Sequence, residues 1–167
     1  MGVHALNLLS IDPGLVCCGW AIWRDSQLFR CGLSRTKGKT LEFRIQVHAK
    51  TFHRMSLMAH VLVIEKPEIY QQRFLKGDPR DLANLAAVVG GIVAAFPSGD
   101  ARMVYPKAWK GQIPKEVSER RTLSKLSEIE KQVLKKPQVF GAPTTAPSSL
   151  LHNMMDAVGL GLYFLQR

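Results

Sequence analysis

Apolar and polar positions near the start of the chain predict two strands that each end at an acid. The apolar run over residues 8–11 has the length of a short strand and leads into Asp12, with a Pro-Gly pair directly after it. A second run, residues 60–64, ends in the same way at Glu65. β-prone runs bounded by turn residues are typical of buried strands. Both carboxylates are therefore predicted where a strand leaves the sheet.

The following pattern predicts an alternation of strands and helices. Segments 18–23 and 27–33 alternate in polarity and flank residues 24–26, which predicts a hairpin and hence three antiparallel strands. Apolar residues at helical spacing over 39–58 predict a crossover helix. The strand that ends at Glu65 is therefore expected to run parallel to the first.

The second half of the chain adds helices, one strand and a loop. The predicted elements are a helix over 82–96, a strand over 102–105, a short helical turn over 106–110, a long helix over 115–134, a flexible loop over 137–149 and an apolar helix over 150–165. This order predicts an α/β fold with a mixed five-stranded sheet flanked by helices. At 167 residues the chain is expected to form a single domain, residues 1–167.

Composition narrows the class of protein. The hydrophobic content of 46% excludes general disorder, and the longest apolar stretch, residues 85–96, is shorter than the roughly 20 residues that span a bilayer. The N-terminus has no basic region before its apolar run, so we predict no signal peptide. Cys17, Cys18 and Cys31 form no Cys-x-x-Cys pair and are interpreted as small core residues of a reduced compartment. We expect a cytoplasmic protein that binds no membrane.

Charge then indicates the kind of partner. Lys and Arg total 23 against 13 acids, a formal net charge of +10. An excess of this size in a small domain points to a polyanion, most simply a nucleic acid. The chain has no basic amphipathic helix with an aromatic apolar face, which makes an anionic membrane surface a poorer candidate.

The two strand-ending acids are the first candidates for chemistry. Neighbouring strands can bring Asp12 and Glu65 together at the carboxyl edge of the sheet, where α/β proteins bind ligands. Paired carboxylates that leave an apolar core are costly unless a cation compensates their charge. A hard metal ion and phosphate chemistry are therefore predicted. The alternative is that Asp12 only prepares the turn at 13–14 and that Glu65 marks where a strand meets water.

An ordered set of motifs extends this hypothesis. The motifs are Ser-Ile-Asp-Pro-Gly at 10–14, Gly-Trp-Ala at 19–21, Val-Ile-Glu at 63–65 and Asp-Ala-Val-Gly-Leu-Gly at 156–161, with the helix over 85–95 and the basic segment 106–111 between them. Together they resemble the RuvC family of Holliday-junction resolvases, within the ribonuclease H-like superfamily. The resemblance spans nearly the whole chain and implies a ribonuclease H-like sheet.

The resemblance implies a metal site. Asp12, Glu65 and Asp156 are expected to be catalytic metal-binding carboxylates, with a fourth ligand from the last helix. Family members have that ligand three residues before the final Asp, where this chain has Asn153. His152 shares a helix face with Asp156 at i, i+4, and we favour it over Asn153. Two Mg²⁺ ions are expected per site, with Mn²⁺ as a substitute, for in-line phosphodiester hydrolysis.

Basic and aromatic residues outside the acids are candidates for DNA contacts. The phosphate contacts are predicted at Lys107, Lys110 and Lys115 and at a second set, Arg73, Lys76 and Arg80. Tyr70 and Phe74 follow Glu65 and could separate bases at a branch point, or could pack beneath their loop. Trp109 could stack on a base or lie buried against a helix.

The resemblance also implies a homodimer. The helix over 82–96 is apolar around most of its circumference, which suits a helix that packs on its own sheet and on a second subunit. The alternative is a central helix covered by a long loop. Two-fold symmetry would place two identical sites on two strands of a four-way junction.

The predicted function is that of a crossover junction endodeoxyribonuclease, a hydrolase that resolves Holliday or other branched DNA by paired nicks. It would act in DNA recombination and repair in the cytoplasm of a bacterium, and the compact chain also suits an enzyme of a bacteriophage in its host. The alternatives are another ribonuclease H-like nuclease acting on RNA or an RNA/DNA hybrid, and a catalytically silent junction-binding module. Sugar kinases and actin-like ATPases share the strand-ending acid but need two lobes, for which 167 residues are too few.

Overall fold

The protein folds around one mixed sheet; the computed structural model describes residues 6–68, 78–97 and 99–167. The strands are β1 (Asn7–Asp12), β2 (Cys17–Arg24), β3 (Gln27–Arg35), β4 (Val61–Glu65), β5 (Ala101–Val104) and β6 (Gln138–Gly141). Their order across the sheet is β5-β4-β1-β2-β3-β6. The helices are α1 (Leu41–Ser56), α2 (Pro79–Ala94), α3 (Pro106–Trp109), α4 (Lys115–Ser124), α5 (Glu128–Leu134) and α6 (Leu151–Phe164). The predicted α/β class is confirmed.

The antiparallel start and the parallel crossover are both as predicted. β2 and β3 are joined by Asp25 and Ser26, whose φ angles of 50° and 64° are those of a two-residue turn that matches strand twist. β1 pairs antiparallel with β2 and parallel with β4, in the register Leu8 to Val61. Helix α1 connects β3 to β4.

The sheet has six strands rather than the five predicted. Part of the segment 137–149, predicted as a flexible loop, forms β6, which pairs parallel with β3 from Gly32–Gln138 to Arg35–Gly141. Four residues flanked by prolines and small polar residues carry no periodic signal of their own. Only the open edge of β3 supplies the hydrogen bonds that make this segment a strand.

The long helix predicted over 115–134 is two helices, α4 and α5. The Ser127 hydroxyl accepts the Glu130 backbone N–H at 3.3 Å, and the Glu130 carboxylate accepts the Ser127 N–H at 2.8 Å. This reciprocal capping box starts a new helix and satisfies its free N–H groups. The prediction was wrong here because the helical spacing of apolar residues continues across residues 125–127, although the helix itself is interrupted there.

Apolar layers cover both faces of the sheet. Alternate β1 residues point to opposite sides, so that Leu9 and Ile11 pack with α1 and α2 while Leu8 packs with α6. All three cysteines are free and buried, as expected of core residues. No helix within the described ranges is long and apolar enough to cross a membrane.

Candidate active site

The sheet places two acids next to each other. Ile11 of β1 pairs with Ile64 of the parallel strand β4, so the next residue of each strand, Asp12 and Glu65, leaves the sheet at the same edge. Both carboxylates are only partly exposed. The strand pairing therefore produces the juxtaposition that the two sequence runs predict.

Helix α6 brings the third acid to this edge. A Cβ atom at Gly19 would lie 1.9 Å from the carbonyl oxygen of Asn153, so only glycine allows α6 to lie this close to β2. The buried Ser10 hydroxyl donates to the Ala157 carbonyl at 2.8 Å and fixes the helix against β1. Asp156 precedes Ala157 directly, and its side chain is 18% exposed at the edge of the sheet.

A lysine lies between two of the acids. The ammonium nitrogen of Lys110 is 3.3 Å from Glu65 Oε2 and 3.3 Å from Asp156 Oδ2. Trp109 donates its indole N–H to Glu65 Oε2 at 2.8 Å. β5, next to β4 in the sheet, leads through α3 to both residues. Lys110 is thus part of the acidic cluster, and Trp109 holds Glu65 in position.

The electrostatics of the cluster show an excess of negative charge. Burial, with the charges of Glu65 and Asp156, raises the pKa of Asp12 well above its usual range. Burial also raises the pKa of Glu65, although Lys110 and Trp109 act against that rise. Burial acts to lower the pKa of Lys110, but the carboxylates outweigh it and the pKa is raised. One ammonium does not balance three carboxylates, so the site favours additional positive charge.

The donor chemistry fits a hard divalent cation. Carboxylate oxygens are the ligands that Mg²⁺ prefers, and a cation would relieve the repulsion that raises the pKa of Asp12. As the side chains stand, no three His, Cys, Asp or Glu groups within the described residues converge closely enough to hold one ion. The Lys110 ammonium contacts Glu65 and Asp156 instead. A cation would compete with Lys110 for these two carboxylates.

The two candidates for a fourth ligand lie at the start of α6. Asn153 donates its side-chain amide to the Cys17 carbonyl at 3.2 Å, so it ties the helix to β2. His152 is partly buried, one helical turn before Asp156. This arrangement gives Asn153 a structural contact and leaves His152 as the predicted ligand.

The predicted DNA contacts are spread over several elements. Lys115 is exposed at the start of α4, and Arg80 is exposed in the first turn of α2. Lys107 is exposed in α3 and lies 3.3 Å from the carboxylate of Glu68. Four predicted contacts, Tyr70, Arg73, Phe74 and Lys76, lie outside the described residues.

Sequence reasoning missed the roles of Lys110 and Trp109 in the acidic cluster. Lys110 was predicted to contact phosphate, and Trp109 to stack on a base or to lie buried against a helix. The signal available was the adjacency of an aromatic residue and a lysine directly after β5. It does not reveal which acid they contact, because Trp109 and Glu65 are 44 residues apart in the chain.

Comparison with known proteins identifies the fold. No family model matches the chain, and no curated protein sequence matches it. The solved structure of Thermus thermophilus RuvC superposes with a TM-score of 0.60 at 16% identity, covering 97% of this chain and 96% of that chain. The chain has the RuvC fold.

A second structure agrees with this assignment. T. thermophilus RuvC in complex with Holliday junction substrate superposes with a TM-score of 0.57 at 14% identity, covering 97% of this chain and 95% of that chain. The likeness to RuvC indicated by the order of the motifs is thus confirmed in the fold. Nearly complete coverage of both chains shows that it includes the sheet and its flanking helices.

Proposed function

We propose that the protein is a metal-dependent endonuclease that cuts four-way and other branched DNA junctions by paired nicks. The observation that carries this proposal is the meeting of Asp12, Glu65 and Asp156 at the carboxyl edge of a RuvC fold. The T. thermophilus protein of the same fold is described in complex with a Holliday junction. The net charge of +10 suits a DNA substrate.

In this proposal the three carboxylates, with His152, would hold divalent metal ions, Mg²⁺ or Mn²⁺. When bound, such ions supply activation of a water and stabilisation of the leaving oxygen of the phosphodiester. Trp109 fixes the orientation of Glu65 through its indole N–H. Lys110, which contacts Glu65 and Asp156, would be available to contact a substrate phosphate if cations held these two carboxylates.

Three matched variants test this function. Asp12→Asn, Glu65→Gln and Asp156→Asn should each abolish cleavage of a four-way junction in Mg²⁺ and leave junction binding intact, because each removes negative charge from the metal site only. Asp100→Asn is the control, since Asp100 lies outside the site and pairs with Arg102. Cleavage is measured on gels and binding by fluorescence anisotropy in EDTA.

The same assays separate the competing functions. Cleavage of an RNA/DNA hybrid in preference to the junction would support another ribonuclease H-like nuclease. Junction binding by the parent protein without cleavage in Mg²⁺ or Mn²⁺ would support a silent binding module. Cleavage by Asp156→Asn at the parent rate would remove that residue from the site.

We also propose that α2 forms the contact of a homodimer. Its solvent face carries a row of small exposed residues, Ala83, Ala86, Ala87, Gly90 and Ala94. A Cβ atom at Gly90 would meet nothing within 4 Å, so this face is open to a second helix. A two-fold axis along it would present two sites to two strands of a junction.

The dimer is tested by light scattering. Gly90→Arg should shift the protein from dimer to monomer, because the long charged side chain separates the two helices. Gln132→Arg adds the same side chain on the exposed surface of α5 and should leave the dimer intact. A parent protein that is monomeric at all concentrations would contradict the proposal.

A further inference from the structure

A continuous groove runs between α1 and β6. It consists of two adjoining cavities of about 420 Å³ each, which share Val47 and Gly141. Met55 and Met58 supply apolar surface to one of them. The sixth strand forms one wall, so the groove exists only because the segment 138–141 pairs with β3.

The groove carries positive charge without acids. Lys50 and Arg54 line it from α1, and Lys37 lines it from the segment before α1. None of the described residues that line either cavity is Asp or Glu. Lys50 and Arg54 are four residues apart, about 6 Å along the helix axis, and therefore lie on one face of α1. This row of cations fits a polyanion that runs along the helix.

Two exposed aromatic rings line the groove together with the cations. Phe43 is 51% exposed and Phe140 is 41% exposed. The ring of Phe140 lies 5.7 Å from the buried ring of Trp20, which holds it in place. Phe43 lies against the backbone of Gly38. Fixed, exposed rings in a basic groove are the features on which unpaired bases stack. The bases of a duplex are already stacked on each other and do not stack on such rings.

The groove reaches the same edge of the sheet as the acids but lies on the face that α1 covers, whereas Asp12 shares with Ser10 the face that α6 covers. Asp12 pairs with Gly19, Gly19 with Leu33, and Leu33 with Val139, so Asp12 and Val139 share one row across the sheet. Three strand spacings separate them, about 14 Å. Phe140 is the next residue along β6. A single strand that connects the acids with the groove would cover this distance and also pass around the end of the sheet, because the two lie on opposite faces.

We propose that this groove binds single-stranded nucleic acid, with phosphates against Lys37, Lys50 and Arg54 and bases against Phe43 and Phe140. The site is separate from the acidic cluster and would hold an unpaired strand where it leaves the catalytic edge. Only this link to the catalytic edge rests on the proposed function. An acidic peptide with apolar side chains is the competing occupant, and the test includes it.

The cations are tested by fluorescence anisotropy with a labelled oligothymidylate in EDTA. The double variant Lys50→Ala, Arg54→Ala should bind about fivefold more weakly or worse, because two phosphate contacts are lost. The control is Arg24→Ala, Arg102→Ala, which removes the same charge from two exposed positions away from the groove. Equal losses in both double variants would show that only net charge matters and would overturn the proposal.

The rings are tested with two oligomers of equal length, one with bases and one abasic. Phe43→Ala should weaken binding of oligothymidylate by about tenfold and leave binding of the abasic oligomer unchanged. Leu57→Ala is the control, since Leu57 is 79% exposed and does not line the groove. Equal losses on both oligomers would contradict stacking. An unchanged thermal midpoint verifies that each variant is folded.

The competing occupant has its own outcome. A peptide of alternating Asp and Leu that displaces oligothymidylate from the parent protein, and that binds more tightly, would assign the groove to a protein partner. Because binding is measured in EDTA, the result does not depend on cleavage. If the parent protein cleaves no junction, the proposed function is refuted. If the groove variants nevertheless bind oligothymidylate more weakly than the parent does, the proposed groove is still supported.

Discussion

Asp12 carries the charge that the fold accommodates least easily. It ends a strand whose preceding four residues are fully buried, and burial, Glu65 and Asp156 all raise the pKa of its carboxyl. An acid whose pKa is higher in the folded than in the unfolded state destabilises the fold once it is ionised. The site is thus prepared for cations at the expense of stability.

Replacing Asp12 should therefore stabilise the protein while it inactivates it. We expect Asp12→Asn to raise the thermal midpoint at pH 7 by a few degrees without metal, because it removes a carboxyl that ionises less readily in the folded chain than in the unfolded chain. The difference from the parent should shrink as pH falls and the carboxyl becomes protonated. Mg²⁺ should raise the midpoint of the parent more than that of the variant.

Scanning calorimetry with and without Mg²⁺ measures both effects. Asp100→Asn, at an exposed ion pair, is the control, and both its midpoint and its response to Mg²⁺ should match those of the parent. A lower midpoint for Asp12→Asn in the absence of metal would contradict the electrostatic strain inferred for this site.

His152 and Asn153 should separate into a chemical and a structural residue. His152→Ala should reduce junction cleavage strongly with little change in the thermal midpoint. Asn153→Ala should lower the thermal midpoint and reduce the free energy of unfolding by about 1 kcal/mol, because the hydrogen bond to the Cys17 carbonyl is lost. Cleavage rates and melting curves of both variants check this. A larger loss of cleavage in Asn153→Ala at an unchanged midpoint would make Asn153 the ligand.

At the scale of elements, the two faces of α1 have different roles. Its outer face lines the basic groove with Val47, Lys50 and Arg54. On its inner face, His48 is fully buried, with Nδ1 2.9 Å from the Ser34 hydroxyl. Burial lowers the pKa of His48 from 6.5 to about 4, so the ring is neutral in the folded protein at neutral pH. This contact holds the helix against β3.

His48 should make the fold sensitive to acid. Below pH 6.5 His48 is protonated in the unfolded chain, whereas in the folded chain it stays neutral down to about pH 4. Stability is therefore lost as pH falls through this window. The loss should reach about 3 kcal/mol. In urea unfolding experiments between these pH values, the free energy of unfolding of His48→Gln should depend less on pH than that of the parent. His53→Gln, at an exposed histidine, should retain the dependence of the parent.

At the scale of the whole molecule, the net charge of +10 is carried outside the acidic cluster. Lys115, Lys107 and Arg80 are exposed on helices that follow the strands of the catalytic edge. The groove adds further cations beside β6. A branched DNA would contact both regions only if one of its strands passed around the end of the sheet to the face that α1 covers.

Junction affinity should fall steeply with salt, because Lys and Arg contacts release counterions from DNA. Lys115→Ala should reduce the slope of log affinity against log salt by about 1. Arg102→Ala, at an exposed ion pair with Asp100, is the control. Anisotropy titrations over a range of salt concentrations measure both. A slope unchanged in Lys115→Ala would place the DNA surface elsewhere, with Arg73, Lys76 and Arg80 as the next candidates.

The sequence by itself determined the features that depend on neighbouring residues. An apolar run, a terminal acid and a turn pair are contiguous in the chain, so β1, β4 and the positions of Asp12 and Glu65 could be predicted. The two-residue turn at 25–26 and the crossover helix α1 are local in the same way. Their order, together with the motif at 156–161 and the basic segment 106–111, indicated the RuvC fold.

Only the tertiary structure decided what these residues contact. Lys110 reaches Asp156 across 46 residues, and β6 becomes a strand because β3 leaves an edge open to it. The groove depends on both α1 and β6, whose residues are far apart in the chain. Hydrogen bonds and ion pairs of this kind form between backbone edges and side chains that only the packed sheet brings together. The local periodicity of the sequence therefore does not predict these contacts.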